Sequence, residues 1–168
     1  GLEPDPKSFK IYNENSNKIL ESSNCQSFLS LNQAASSTSG LEEFTKMKAD
    51  AVSGLLKPAE GLSERVLSGD HEVVDTFEVE TITIDEIISK NNFSNIDLLK
   101  IDTEGFDLEC LKGSQHALEK NLIHLVMCES FFVRYRKDQC YFWNIATFLK
   151  SYNYHFLNIF DSRNTSQG

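Results

Sequence analysis

No stretch of the 168 residues approaches the roughly 18 to 20 unbroken apolar positions that a membrane helix needs, and nothing resembling a signal peptide opens the chain. The reading is a cytoplasmic protein with no membrane partner. Positive charge is scarce. Sixteen Lys and Arg face 25 Asp and Glu, a net charge of −9 with a pI near 4.9, so the chain repels phosphate backbones and nucleic acid is not expected as a partner. Cysteine is sparse and unpaired: Cys25, Cys110, Cys128 and Cys140 form no C-x-x-C and have no histidine at a ligand spacing. That removes a zinc site and a disulfide framework. Cys128, in the apolar run Leu125-Val126-Met127, and Cys140, opening an aromatic helix, read as small core hydrophobes. The N-x-S sequons at Asn92 and Asn164 read as chance matches, and internal repeats are absent. What remains is 40% hydrophobic and 24% charged residues, a globular mixture sized for a single domain over residues 1–168.

The pattern predicts a helix from Pro6 to about Asn15 with Asp5 as N-cap and Pro6 at the first helical position, Phe9 and Tyr12 sharing a face. Ser27 to Ala34 alternates as a strand, and Ser36 to Gly40 is turn chemistry. Residues from about 40 to 72, with Gly40, Gly54, Gly61 and Gly69, read as a loop-rich insertion with short strands or helical turns. Val73 to Thr83 is β-branched and extended. Thr83-Ile84-Asp85-Glu86 then has the spacing of a capping box, Ile82 and Ile87 that of a staple, and Asn91-Asn92 supply a stop. Ile96 to Ile101 and Leu122 to Cys128 are apolar runs of the kind covered on both faces in parallel sheets. Between them lies a helical stretch, Phe106 to Glu119, that Gly113 should bend or divide. Asp138 can cap a helix with Tyr141, Ile145, Phe148, Leu149 and Tyr152 on one face, and His155 to Phe160 reads as a last strand. Such alternation predicts an α/β fold with a mostly parallel sheet.

In such sheets ligands sit beyond the carboxyl ends of the strands, which singles out three places. Glu3 precedes a helix and could take hydrogen bonds from ribose hydroxyls, or could simply be an acid favoured by the helix dipole. In Lys100-Ile101-Asp102-Thr103-Glu104-Gly105, the i and i+2 carboxylates Asp102 and Glu104 could face one pocket as base, ligand anchor or metal pair, or Thr103 or Glu104 could merely begin the helix. Glu129 ends the neighbouring strand beside that pair. His71, His116, His124 and His155 share no spacing and read as surface or strand histidines. Arg134-Tyr135-Arg136-Lys137 is the basic cluster of an acidic chain; it could hold an anionic or sugar-like substrate, although a solvated loop is the favoured reading.

Glu3-Pro4-Asp5-Pro6, Thr81 to Glu86, Asp97 to Glu109 with its Lys-Ile-Asp-x-Glu-Gly core, and Leu111-Lys112-Gly113 together resemble, in that order, the FkbM-type S-adenosylmethionine-dependent methyltransferases. The resemblance covers nearly the whole chain. It implies a Rossmann-like class I methyltransferase sheet of seven strands, with S-adenosylmethionine as cofactor. Its first strand and glycine-bearing loop would lie upstream of Gly1, which is not a methionine, so the chain is expected to be an N-terminally truncated fragment, inactive and marginally stable alone. By resemblance Glu3 matches the acid that holds the cofactor ribose, and Asp102 and Glu104 the acids lining the cofactor and acceptor pocket. Asp102 leads as base or cofactor contact, with Glu104 and Glu129 behind it.

The implied reaction is methylation of a hydroxyl of a sugar, lipid or small metabolite by in-line displacement, and no metal is required. Two rivals stay open. One is a nucleotide-sugar enzyme that binds a divalent metal through Asp102 and Glu104. The other is a non-catalytic domain of the same architecture. Oligomeric state is not legible.

Overall fold

A computed structural model describes residues 1–22, 24, 26–61 and 72–160. Cys25, Gly69, His71 and the Asn164 sequon lie outside the described residues. Helix α1, Pro6–Ser22, starts as expected: Asp5 Oδ1 accepts the Lys7 N–H at 3.0 Å and Oδ2 the Ser8 hydroxyl at 3.2 Å. It runs past Asn15 to Ser22, with the Ser16 and Ser22 hydroxyls turned back onto the Tyr12 and Lys18 carbonyls.

The strand expected over Ser27 to Ala34 reduces to β1, Ala34–Ala35, plus an isolated parallel bridge between Leu31 and Leu2. Alternation describes one chain, whereas a ladder needs a neighbour in register. Conversely, β2, Gly40–Met47, is a full eight-residue strand where a loop-rich insertion with short strands or helical turns was expected, antiparallel to β3, Val73–Ile82. Only its second half packs inward, through Phe44, Thr45 and Met47, so its alternation is short. A 3₁₀ turn, Asp50–Val52, follows.

Helix α2, Ile84–Asn91, is capped by Thr83, whose Oγ1 accepts the Glu86 N–H at 3.1 Å, and ends at Asn92 with φ 53°. The reciprocal half of the box is absent. Glu86 instead takes the Ser39 hydroxyl and Lys90, and Ser39 Oγ accepts the Thr83 N–H at 3.3 Å. Strands β4, Ile96–Ile101, and β5, Ile123–Cys128, pair in parallel with Leu98 opposite Leu125 and Ile101 opposite Cys128. They are not covered on both faces: Leu98, Leu125 and Met127 remain 53%, 48% and 44% exposed.

Between β4 and β5 the helical stretch divides at Gly113 into α3, Asp107–Lys112, and α4, Gln115–Glu119. Its φ is ordinary. What demands glycine there is space, since a Cβ would stand 2.1 Å from the Ser36 carbonyl oxygen. Helix α5, Phe142–Ser151, begins two residues after Cys140, and Asp138 does not cap it. Asp138 sits in a left-handed turn at φ 59°, and Asn144 Oδ1 accepts the Tyr141 N–H at 2.9 Å instead. Residues 155–160 form no strand and are exposed, because no described strand lies beside them to complete a ladder.

The fold class is α/β, as expected, and the described strands form two small sheets, β1-β3-β2 and β4-β5, each holding one parallel pair. Neither is by itself the mostly parallel, N-terminally truncated class I sheet that the resemblance implied. The main core lies under β4 and β5, where Ile101 and Ile123 meet Ile84, Ile88, Cys110, Leu111, Leu118, Cys140 and Ile145. Cys110 and Cys140 are buried and Cys128 packs against this core, as small hydrophobes should. Burial pushes the thiol of Cys110 up to about 12, which leaves it protonated and inert. A smaller cluster, Ala34, Phe44 and Val79, serves the other sheet, and the Cys110 Sγ donates across to the Ala35 carbonyl at 3.2 Å.

Candidate active site at the carboxyl ends of β4 and β5

Strand β4 stops at Ile101, so the i, i+2 geometry of a strand does not extend to Asp102 and Glu104. The chain turns sharply instead, with Glu104 at φ 55° and Gly105 at φ 94°. A Cβ on Gly105 would lie 2.8 Å from that of Gln139, so glycine is required there for both torsion and space. The turn sends the two carboxylates to different cations. Asp102 faces solvent, its side chain 56% exposed, and pairs with Lys100 at 2.6 Å. Glu104 is largely shielded and pairs with Arg136 at 3.0 Å. Separate engagement does not suit one shared divalent ion, and among the described residues no group of three His, Cys, Asp or Glu is placed to hold a metal.

Glu129 follows β5, and its N–H donates to the Ile101 carbonyl at 3.1 Å, which docks it beside the β4 terminus. Its Oε2 is buried with no hydrogen-bond partner among the described residues. Burial first, then the negative charges of Glu104, Asp102 and Asp107, push its carboxyl up to about 7, while the Glu104 backbone N–H donates to it and opposes the rise. Sequence reasoning placed Asp102, Glu104 and Glu129 at neighbouring strand ends; in the structure the charges of Glu104 and Asp102 both act on Glu129, while their own side chains pair with different cations. That reasoning did not foresee Asp107 as a fully buried carboxylate: Oδ2 accepts the Thr103 hydroxyl at 2.8 Å, Oδ1 has no partner among the described residues, and burial raises its pKa.

Arg136 corrects the solvated-loop reading of Arg134 to Lys137. It is 1% exposed, whereas Arg134 and Lys137 do lie at the surface. Its backbone N–H and that of Tyr135 both donate to Gln139 Oε1 at 2.6 Å, and the Cys140 N–H reaches the Gly105 carbonyl at 2.9 Å, which clamps this loop onto the Glu104 turn. The sequence signal was present: an arginine in an aromatic loop that follows the strand-end acid Glu129. Its burial depended on which loop it met.

Glu3 belongs to a separate cluster. Its N–H donates to the Leu31 carbonyl at 3.1 Å, and its Oε1 accepts the Asp5 N–H at 2.9 Å. Burial, then the Asp5 charge, raises its pKa. Asp5 is held below the usual range, because Lys46 and the Lys7 N–H outweigh its desolvation, and Lys46 also reaches Asp50 at 2.7 Å. The two clusters share one support, residues 46–54. Lys46 pairs with Asp5, the Val52 carbonyl accepts from Arg136, and a Cβ on Gly54 would lie 3.6 Å from that of Glu104.

A cleft of about 430 Å³ borders the Gly105 turn, lined by Leu56, Phe106, Leu108, Gln139 and Cys140 among others. A second cavity, about 230 Å³, lies among Leu2, Phe28, Leu29, Leu31, Ile87 and Phe93. His116, His124 and His155 are exposed and outside both clusters. No helix of the described residues is long and apolar enough to cross a membrane. No curated protein and no solved structure matches this chain. The family model described as the methyltransferase FkbM domain matches residues 1–156, spanning Glu3, the Asp102 to Gly105 turn, Glu129 and Arg136. On that match the chain belongs to the FkbM methyltransferase domain family and is a methyltransferase domain.

Proposed function

We propose that this domain transfers a methyl group from S-adenosylmethionine to a hydroxyl of a sugar, lipid or small-metabolite acceptor, and that Glu129 is its base. The observation that carries the base assignment is the buried, unpartnered Glu129 Oε2 at the carboxyl end of β5. A buried acceptor without a donor is costly, and an incoming hydroxyl would satisfy it. The alternatives are already engaged, Asp102 by Lys100 in solvent and Glu104 by Arg136. Glu129 therefore takes the leading role that the sequence reading gave to Asp102.

Glu3 suits the cofactor. It is a partly desolvated carboxylate next to the first turn of α1, and such a group gains from accepting the two ribose hydroxyls. S-adenosylmethionine supplies the electrophilic methyl on a sulfonium; the protein's tasks are to hold the acceptor in line and to remove its proton. Glu129, with its proton affinity near neutrality, can take that proton from a bound hydroxyl as the oxygen is alkylated. The Glu104 backbone N–H orients the Glu129 carboxylate while it does so.

Glu129→Gln preserves shape and removes the base. In the intact protein, methyl transfer should fall by about 100-fold or more while the variant stays folded, the scale of a lost general base. Normal transfer by Glu129→Gln, with a loss in Asp102→Asn instead, would return the role to Asp102.

A further inference from the structure

Arg136 is the buried cation of the carboxylate group, and packing alone does not account for it. Its Nη2 donates to Glu104 Oε2 at 3.0 Å and to the Val52 carbonyl, whereas Nε and Nη1 are buried with no acceptor among the described residues. A guanidinium with two unmet donors in the interior loses more by desolvation than a single carboxylate returns. Its position is nevertheless fixed. Gln139 grips the backbone N–H groups of Tyr135 and Arg136 with one side-chain atom and donates with the other to the Val133 carbonyl at 2.8 Å. The N–H of Glu104 in turn donates to Glu129, which ties the residue paired with Arg136 to Glu129.

We propose that Arg136 is a positioning residue for Glu129: by pairing with Glu104 it offsets the negative charge beside Glu129 and holds the Glu104 backbone that donates to it. The charged groups facing Glu129 are Glu104, Asp102 and Asp107. Lys100 engages Asp102 in solvent, Asp107 accepts the Thr103 hydroxyl, and Arg136 pairs with Glu104 in the interior, where screening by water is weak. Without Arg136, Glu129 would face an uncompensated carboxylate and would keep its proton to higher pH.

This inference rests on the reading of Glu129 as the base, but its test needs no turnover. Carboxyl-carbon NMR titration of protein carrying carbon-13-labelled glutamate follows Glu129 directly, its signal identified by its loss in Glu129→Gln. Arg136→Met should raise the Glu129 midpoint by about one pH unit or more, a tenfold change in proton affinity. Adding Glu104→Gln should return the midpoint to the wild-type value or below, because the charge that Arg136 had offset is gone. An unchanged midpoint in Arg136→Met, or a shift that persists in the double variant, overturns the proposal. If Arg136→Met does not fold, Glu104→Gln alone decides: removing the like charge should lower the midpoint by about one unit, and no change overturns the coupling. Methyl transfer that survives Glu129→Gln while these shifts occur would remove the base assignment and leave the Arg136 coupling standing, so the two failures are distinguishable.

Discussion

Glu129 has two consequences that share one cause. In its proposed role as base it would work only when ionised, so methyl transfer should rise with pH through about 7 and fall below it. Stability runs the other way. Its folded proton affinity is raised above the unfolded value, so the folded state favours the protonated form; that contribution is fully present below the unfolded pKa and is lost as pH climbs through about 7. Between pH 5 and pH 8 the melting temperature of the wild type should therefore drop further than that of Glu129→Gln, which cannot ionise. Equal drops in scanning calorimetry would mean that Glu129 is solvated like an ordinary carboxylate. Glu3 makes a simpler prediction. Glu3→Gln keeps one acceptor but loses the charge, and should weaken S-adenosylmethionine binding by about 1 to 3 kcal/mol. Titration calorimetry of the intact protein giving the wild-type affinity would take Glu3 out of the cofactor site.

Among the secondary-structure elements, glycine placement decides most. Gly113, between α3 and α4, stands where the Ser36 backbone passes through the space a side chain would fill, and this approach brings the segment after β1 against the helices under β4 and β5. A methyl group there must push backbone aside. Gly113→Ala should destabilise the fold by about 1 to 3 kcal/mol, the usual range for overpacking, although alanine is the better helix former. A chemical melt showing no loss, or a gain, would mean that Ser36 yields freely. Helix caps were legible in advance where the signal is local: Asp5 before α1, Thr83 before α2, Asn92 after it. They failed where a distant partner intervened, as when Ser39 took the place of the second half of the Thr83 to Glu86 box.

The exposed face of the β4-β5 pair bears on the molecule as a whole. Leu98, Leu125 and Met127 form an apolar strip on two strands whose sequence reads as buried, and Phe156, Leu157, Ile159 and Phe160 add further exposed apolar surface. Apolar strands left uncovered favour self-association. Leu125→Lys should lower dye binding and concentration-dependent association of this chain without lowering its melting temperature, because the residue is already half exposed. Light scattering that shows no difference, or a clear loss of stability, would place Leu125 in a packed environment.

What the sequence by itself determined were the features set within a few neighbouring residues: the α/β alternation, the paired runs of β4 and β5, the division at Gly113, the caps at Asp5 and Thr83, and the gathering of Asp102, Glu104 and Glu129 at strand ends. Periodicity, torsional preference and local hydrogen bonding fix these wherever the segment lands. Only tertiary structure decided that β2 is a full strand, that Ser27 to Leu31 and His155 to Phe160 are not, and that Glu104 and Asp102 turn to different cations. A ladder, a buried guanidinium and a desolvated carboxylate each depend on a partner distant in the chain. The proton affinity of Glu129 belongs to this second group, since it comes from the burial and the three carboxylates that the fold brings around it.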